Sequence, residues 1–173
     1  MELGRRILVL GSAGSGKSTL AAAIGTATGL SVVHLDRLFW NPGWVETAAD
    51  EMDRRVAEAA AGESWIIDGN YLRSLPLRLE RCDSVVFIDL GRLVCLYRII
   101  KRRIVFHGKA RSDMGEGCVE KIDWEFVRWV WGFPKHSRPA IIEALNRAVS
   151  DGGKQVYQLG TRRELKQFMD SLR

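Results

Sequence analysis

The stretch Arg6-Ile7-Leu8-Val9-Leu10-Gly11-Ser12-Ala13-Gly14-Ser15-Gly16-Lys17-Ser18-Thr19-Leu20 decides how the rest of the chain is read. Ile7-Leu8-Val9-Leu10 is a short apolar run stopped by glycine, the pattern of a buried strand. From Lys17 the sequence turns to Ala and Leu until Gly29, the pattern of a helix with a C-terminal glycine. Between them, residues 11–18 fit G-x-x-x-x-G-K-[ST], which arises by chance in a chain this long roughly once in 100. Glycines let the backbone curl so that successive N–H groups face phosphate oxygens, and the helix N-terminus adds positive potential. In this reading Lys17 reaches the β- and γ-phosphates, Ser18 places its hydroxyl on Mg²⁺ and Thr19 starts the helix. The bland alternative is a glycine-rich turn after a strand.

Outward from this loop, three more apolar runs end in an acid: Val32-Val33-His34-Leu35-Asp36, Trp65-Ile66-Ile67-Asp68 and Val85-Val86-Phe87-Ile88-Asp89. A fifth, Val156-Tyr157-Gln158-Leu159, closes at Gly160. Helical segments separate them, at about 48–61, from about Ser74, and along the segment that holds Leu93, Leu96, Tyr97, Ile100 and Ile104. Those five follow i, i+3, i+4, i+7 spacing, which predicts that they pack and that Arg98, Lys101 and Arg102 lie on the opposite, cationic side. Later helices are expected at about 119–131 and 139–149. Thr161-Arg162-Arg163-Glu164 reads as a capping box opening a last helix whose Leu165, Phe168, Met169 and Leu172 dock on the sheet. Strands alternating with helices imply a parallel sheet covered on both faces, here within one domain over residues 1–173.

Asp36, Asp68 and Asp89 sit where parallel strands end, the edge at which such sheets bind ligands. Asp36 and Asp68 are the better candidates, for holding Mg²⁺ or accepting a proton from a substrate hydroxyl. Each could instead be a helix cap or a solvated strand end, the reading preferred for Asp89. Residues 92–111 hold seven cations, Arg92, Arg98, Lys101, Arg102, Arg103, Lys109 and Arg111, and no acid, within a chain of net charge +5. Lacking acidic neighbours, they call for an anion: a γ-phosphate, an anionic acceptor or a nucleic-acid backbone. A solvated helix face is the alternative. Trp124, Trp129 and Trp131 are expected in the core, whereas Trp40 and Trp44 flank the turn Asn41-Pro42-Gly43 and could wall an acceptor pocket.

Composition sets the outer limits. At 46% hydrophobic and 27% charged, 173 residues can bury a full core and are not wholesale disordered. Cys82, Cys95 and Cys118 form no C-x-x-C pair and His34, His107 and His136 show no metal spacing, so neither a disulfide framework nor a zinc site is indicated. No apolar run approaches the ~18 residues of a membrane helix. A soluble, cytoplasmic protein without a membrane partner is expected; the sequence gives no reading of oligomeric state.

The phosphate loop, together with His34-Leu35-Asp36-Arg37-Leu38-Phe39-Trp40-Asn41-Pro42-Gly43-Trp44, Ile67-Asp68-Gly69-Asn70-Tyr71, Arg111-Ser112-Asp113-Met114 and Gly117-Cys118, resembles bacterial proteins labelled "DNA topology modulation protein". That family is related to adenylate and shikimate kinases. The resemblance implies a three-layer α/β P-loop fold with a five-stranded parallel sheet in the order 2-3-1-4-5 and a helical lid at about 103–118. It implies ATP and Mg²⁺ as cofactors, held by Gly11, Ser12, Ala13, Gly14, Ser15, Gly16, Lys17, Ser18 and Thr19, with Thr161 and Arg162 near the adenine. Asp68 becomes the acid beside the loop, sharing the metal with Ser18, and Asp36 faces the acceptor. Arg98, Arg102 and Arg111 become phosphate clamps. The run after the third strand departs from the Asp-Gly-Phe-Pro-Arg of adenylate kinases, so the likeness does not name the acceptor.

Two functions compete at this point. One is a kinase-like enzyme moving the γ-phosphoryl of ATP to a small acceptor. The other is an ATP-binding or ATP-hydrolysing regulatory protein acting on DNA topology. DNA has thin support, because no helix-turn-helix signal is present and the cations are confined to one stretch.

Overall fold

A computed structural model describes residues 3–105, 113, 115, 117–118 and 122–172, with the side chains of 151 and 152 excepted. Strand β1 (Arg6–Gly11) lies at the centre of a parallel five-stranded sheet. Its neighbours are β5 (Trp65–Asp68) on one side and β6 (Ser84–Ile88) on the other; β2 (Val32–His34) and β7 (Gln155–Leu159) form the edges. The order β2-β5-β1-β6-β7 is the expected 2-3-1-4-5 once the two strands of a separate hairpin, β3 (Trp40–Asn41) and β4 (Val45–Glu46), are set aside.

Alternation along β1 divides the core. Ile7 and Val9 face one cluster with Leu20, Ile24, Ile66, Val86 and Phe168, beneath α1 (Lys17–Thr28), α5 (Arg92–Val105) and α8 (Arg162–Asp170). Leu8 and Leu10 face the other, with Met52, Val56, Leu79, Phe133 and Ile141. That layer is built by α3 (Ala49–Ala60), α4 (Leu75–Arg81) and α7 (Arg138–Gly152), while α6 (Trp124–His136) packs on both clusters, through Val130 on the first and Phe133 on the second. The strand order changes direction at β1, so a crevice opens at the C-terminal end of β1.

Three expectations need correction. Strand β2 ends at His34, and Leu35–Phe39 forms a short helix, α2, so Asp36 is a helix residue rather than a strand end. Helix α5 is rotated from that expectation: Cys95 and Ile99 are fully buried and, of the five expected to pack, Leu96 does so while Leu93, Tyr97, Ile100 and Ile104 are exposed, Ile104 at 73%. Arg98 and Arg102 therefore lie on the inward side. On α6 the core positions are Val130 and Phe133, and the tryptophans expected inside are outside, Trp124 at 70% exposure. Trp131 instead carries the Arg92 guanidinium 4.0 Å above its ring.

Asp89 is neither a helix cap nor a solvated strand end: it is held in an ion pair with Arg138. Its carboxylate takes two 2.8 Å hydrogen bonds from Arg138 and one from Gln158, joining the end of β6 to α7 and β7. The capping box of α8 is present: Thr161 Oγ1 accepts from the Glu164 N–H, and Glu164 accepts from the Thr161 N–H. The lid segment lies largely outside the described residues, Arg111 included.

Candidate active site

The loop after β1 has the backbone of a phosphate cradle. Gly14 and Gly16 have φ of +77° and +102°, conformations that glycine adopts without strain. A side chain on Gly14 would collide with the Cys95 carbonyl and Ile99, so α5 sits directly on the loop. The loop tightens through Ser15 N–H to the Ser12 carbonyl, and Lys17 Nζ donates to that same carbonyl at 3.2 Å. Helix α1 has no acid in its first turn, so the positive potential of its N-terminus is not neutralised by its own side chains. Ser12 and Ser15 are buried with hydroxyls that have no hydrogen-bond partner in the protein.

Asp68 closes β5 in register with Val9, beside the loop. It is 4% exposed; Oδ2 meets His34 Nδ1 at 2.8 Å, and Oδ1 has no protein partner. A buried carboxylate oxygen and two buried hydroxyls left without partners around glycine backbone suit a polyphosphate and its metal. Among the described residues no three of His, Cys, Asp and Glu group as a metal site.

Two residues matter here that the sequence did not single out. Asn70 braces the loop entrance: its Oδ1 accepts from Gly11 N–H at 3.0 Å and its Nδ2 donates to the Gly11 carbonyl at 2.8 Å. Arg78 is fully buried and donates to the carbonyls of Gly69, Asn70 and Tyr71 and to Ser74 Oγ. Burial pushes its guanidinium down to about 10. Arg78 thus fixes the loop after β5, and Asn70 ties that loop to the phosphate loop. No local pattern in Ile67-Asp68-Gly69-Asn70-Tyr71 marks Asn70 as a brace, and nothing in the short helix marks Arg78 as buried.

One cavity of about 1350 Å³ joins the expected residues. At one end are Ala13, Gly14, Gly16, Lys17, Ser18 and Thr19, with Arg98 and Arg102 entering from α5. Arg98 Nη1 donates to the Ser15 carbonyl at 2.7 Å, which places it on the loop itself. Elsewhere the wall is His34, Asp36, Phe39, Trp40, Trp44 and Tyr71. Helix α8 contributes Leu165 and Met169, while Thr161 caps that helix and Arg162 is exposed at its start. Gly11, Ser12 and Ser15 underlie the loop, and Asp68 stands beside it. A smaller recess of about 380 Å³, lined by Leu3, Gly4, Asp83 and Lys154 among others, lies at the opposite edge of the sheet.

A parallel α/β sheet with a glycine loop and lysine at its switch point defines the class, a P-loop fold of the kinase type. No protein-family model and no curated protein sequence matches the chain. Solved structures do match. A shikimate kinase from Acinetobacter baumannii in complex with shikimate superposes with a TM-score of 0.62 at 15% identity, over 98% of this chain and 92% of the other. A putative kinase from Chloroflexus aurantiacus gives 0.55 at 14% identity, over 99% and 97%. A shikimate kinase from Bacteroides thetaiotaomicron gives 0.53 at 18% identity, over 97% and 96%. The likeness is one of fold. Among the described residues no helix is long and apolar enough to cross a membrane.

Proposed function

We propose that the protein is a phosphotransferase that moves the γ-phosphoryl of ATP to a hydroxyl of a small molecule. The observation that carries the proposal is the single cavity in which the phosphate loop, Lys17 and Arg98 share space with a differently lined compartment around Asp36, Trp40 and Trp44. Its volume, about 1350 Å³, exceeds the ~300–1000 Å³ usual for one small ligand, which leaves room for nucleotide and acceptor together. Ser18 and Asp68 would hold Mg²⁺, which when bound neutralises phosphate charge. The loop and Lys17 bind the phosphates. Leu165 and Met169 offer an apolar rest for the adenine, whereas Thr161 and Arg162, at the exposed start of the same helix, do not line the cavity.

In the reaction the acceptor oxygen forms a bond to the γ-phosphorus and the bond to the β–γ bridging oxygen breaks. ADP leaves with that electron pair, and the hydroxyl proton passes to Asp36. Arg98 and Arg102, with Arg111 by its likeness to the lid arginines of related kinases, offset the charge on the equatorial oxygens. Two cations of the basic stretch turned into the cavity favour this reading over a DNA-topology protein, which would need them on an outer face.

Calorimetric titration of Mg²⁺-ATP into the wild type and into Lys17→Ala tests the reading. Saturable binding in the wild type, weakened at least ~10²-fold in a variant with an unchanged circular dichroism spectrum, is expected. Equal affinities would refute the assignment of the loop.

A further inference from the structure

Asp68 stands between two strands, and its backbone and its carboxylate are held by different means. The sheet fixes the backbone: β5 pairs with β1 through Val9 and with β2 through His34, and the next N–H, that of Gly69, donates to the Val9 carbonyl at 3.2 Å. The sheet does not fix the carboxylate, because the terminal torsion of an aspartate is broad and roughly two-fold. One contact does. Among the described residues the carboxylate has a single hydrogen-bond partner, His34 Nδ1, 2.8 Å from Oδ2. The ends of β2 and β5 are clamped for this contact: Leu35, 2% exposed, packs on Gly69 so closely that a side chain on the glycine would meet Leu35 Cβ at 2.8 Å.

The pair does more than tie two strands. A tie is served by groups whose hydrogen bonds close on each other, whereas Asp68 keeps Oδ1 buried without a partner, at a desolvation cost that a bound ligand offsets. His34 decides which oxygen that is. With Oδ2 engaged on the β2 side, Oδ1 is the oxygen left for the β1 side, where the phosphate loop follows its strand. The buried, unpartnered hydroxyls of Ser12 and Ser15 belong to that loop. The other donors near the carboxylate are occupied: Lys17 Nζ donates to the Ser12 carbonyl, Arg98 to the Ser15 carbonyl and Asn70 Nδ2 to the Gly11 carbonyl.

Building on the phosphotransfer reading above, we infer that His34 is a positioning residue for the metal: it holds the Asp68 carboxylate so that Oδ1 is presented to Mg²⁺ beside the phosphate loop. A hydrogen-bond partner of a ligating group is worth ~10–100-fold in metal affinity. The role requires a donor where Nδ1 stands and nothing else of the imidazole. Asparagine supplies an amide N–H there, whereas alanine and phenylalanine supply none.

The test is calorimetric titration of ATP into the full-length wild type, His34→Ala, His34→Asn, Asp68→Asn and the double variant His34→Ala/Asp68→Asn, each in excess Mg²⁺ and in EDTA. The wild type should bind ATP more tightly with Mg²⁺ than without it. His34→Ala should lose at least ~tenfold of its affinity in Mg²⁺ with less than ~twofold change in EDTA, and His34→Asn should regain most of that loss. The double variant should bind no more weakly than Asp68→Asn alone, since His34 acts through Asp68. Should His34→Ala fail to fold, His34→Phe, which keeps a ring without its nitrogens, takes its place. No loss, a loss equal in Mg²⁺ and in EDTA, or a further loss in the double variant would make His34 a tie between strands and overturn this inference alone. Wild-type binding that depends on Lys17 but not on Mg²⁺ would overturn it as well. Absence of Lys17-dependent ATP binding would overturn the phosphotransfer reading and this inference with it.

Discussion

The two ends of the cavity are built by opposite means. The phosphate end is nearly contiguous in sequence: residues 11–19 supply it with backbone, glycine and one lysine, and its positive φ values fall on Gly11, Gly14 and Gly16. The acceptor end is assembled from a short helix, a two-stranded hairpin, the loop after β5 and α6, and it places positive φ on a tryptophan. General phosphate chemistry is met by local backbone geometry. Selectivity for one acceptor is met by side chains that distant elements bring together, and strain is tolerated there because hydrogen bonds around it compensate.

Arg78 and Asn70 join the two ends, so the comparison breaks most severely there. Arg78→Ala would leave the carbonyls of Gly69, Asn70 and Tyr71 without their donor inside the protein. A loss of about 3 kcal/mol is expected from charged hydrogen bonds of ~1.5–3 kcal/mol each, partly replaced by water. Thermal unfolding should show a midpoint lower by roughly 6–12 °C for a chain of this size. Arg78→Lys should recover little of it, because an ammonium cannot span three carbonyls as the guanidinium fork does. A midpoint within a degree or two of the wild type would show that the loop after β5 is held by something else.

Arg98→Ala probes the phosphate end alone. Turnover should fall ~10²-fold, the size of losing one preorganised charge donor, while ATP affinity falls by less. Equal losses in both, measured by steady-state kinetics beside calorimetry, would assign Arg98 to ground-state binding of the loop through Ser15.

The smallest effect is expected at the acceptor end. Trp44→Gly relieves ~1–3 kcal/mol of backbone strain and gives up an aromatic pair worth ~0.5–1.5 kcal/mol, so stability should fall by no more than about 0.5 kcal/mol and could rise by up to about 2.5 kcal/mol. The KM for the acceptor should nevertheless rise about tenfold with the KM for ATP unchanged. A variant that loses stability heavily and keeps its acceptor KM would make Trp44 a packing residue.

This contrast also explains what could be read from the sequence. The loop and the capping box at Thr161 follow from local patterns complete within a few residues, and alternation of strands and helices gives a parallel sheet; the order of its strands came from the family resemblance, and the ion pair of Asp89 with Arg138, 49 residues away, from neither. Helix α5 departs from the expectation because both its faces carry apolar residues, and the larger ones, Leu93, Tyr97, Ile100 and Ile104, have the better helical spacing. The loop decides otherwise. Gly14 lies so close to the Cys95 backbone that the helix face there must be small, and Cys95 with Ile99 fits where leucine and tyrosine would not. The tryptophans of α6 fail for a related reason, since Val130 and Phe133 already fill the turn that meets the core. Asn70 and Arg78 act through contacts 59 and up to 9 residues away in sequence, and no periodicity encodes the longer of these.

The most direct test of the central claim follows the γ-phosphoryl group itself. The wild type and Lys17→Ala are incubated with ATP labelled at the γ-phosphate, Mg²⁺ and a deproteinised small-molecule extract of bacterial cells, and the products are separated by chromatography. The account predicts label in an organic phosphoester with the wild type and none with Lys17→Ala. Label confined to inorganic phosphate, or ATP turnover that rises only when duplex DNA is added, would contradict it.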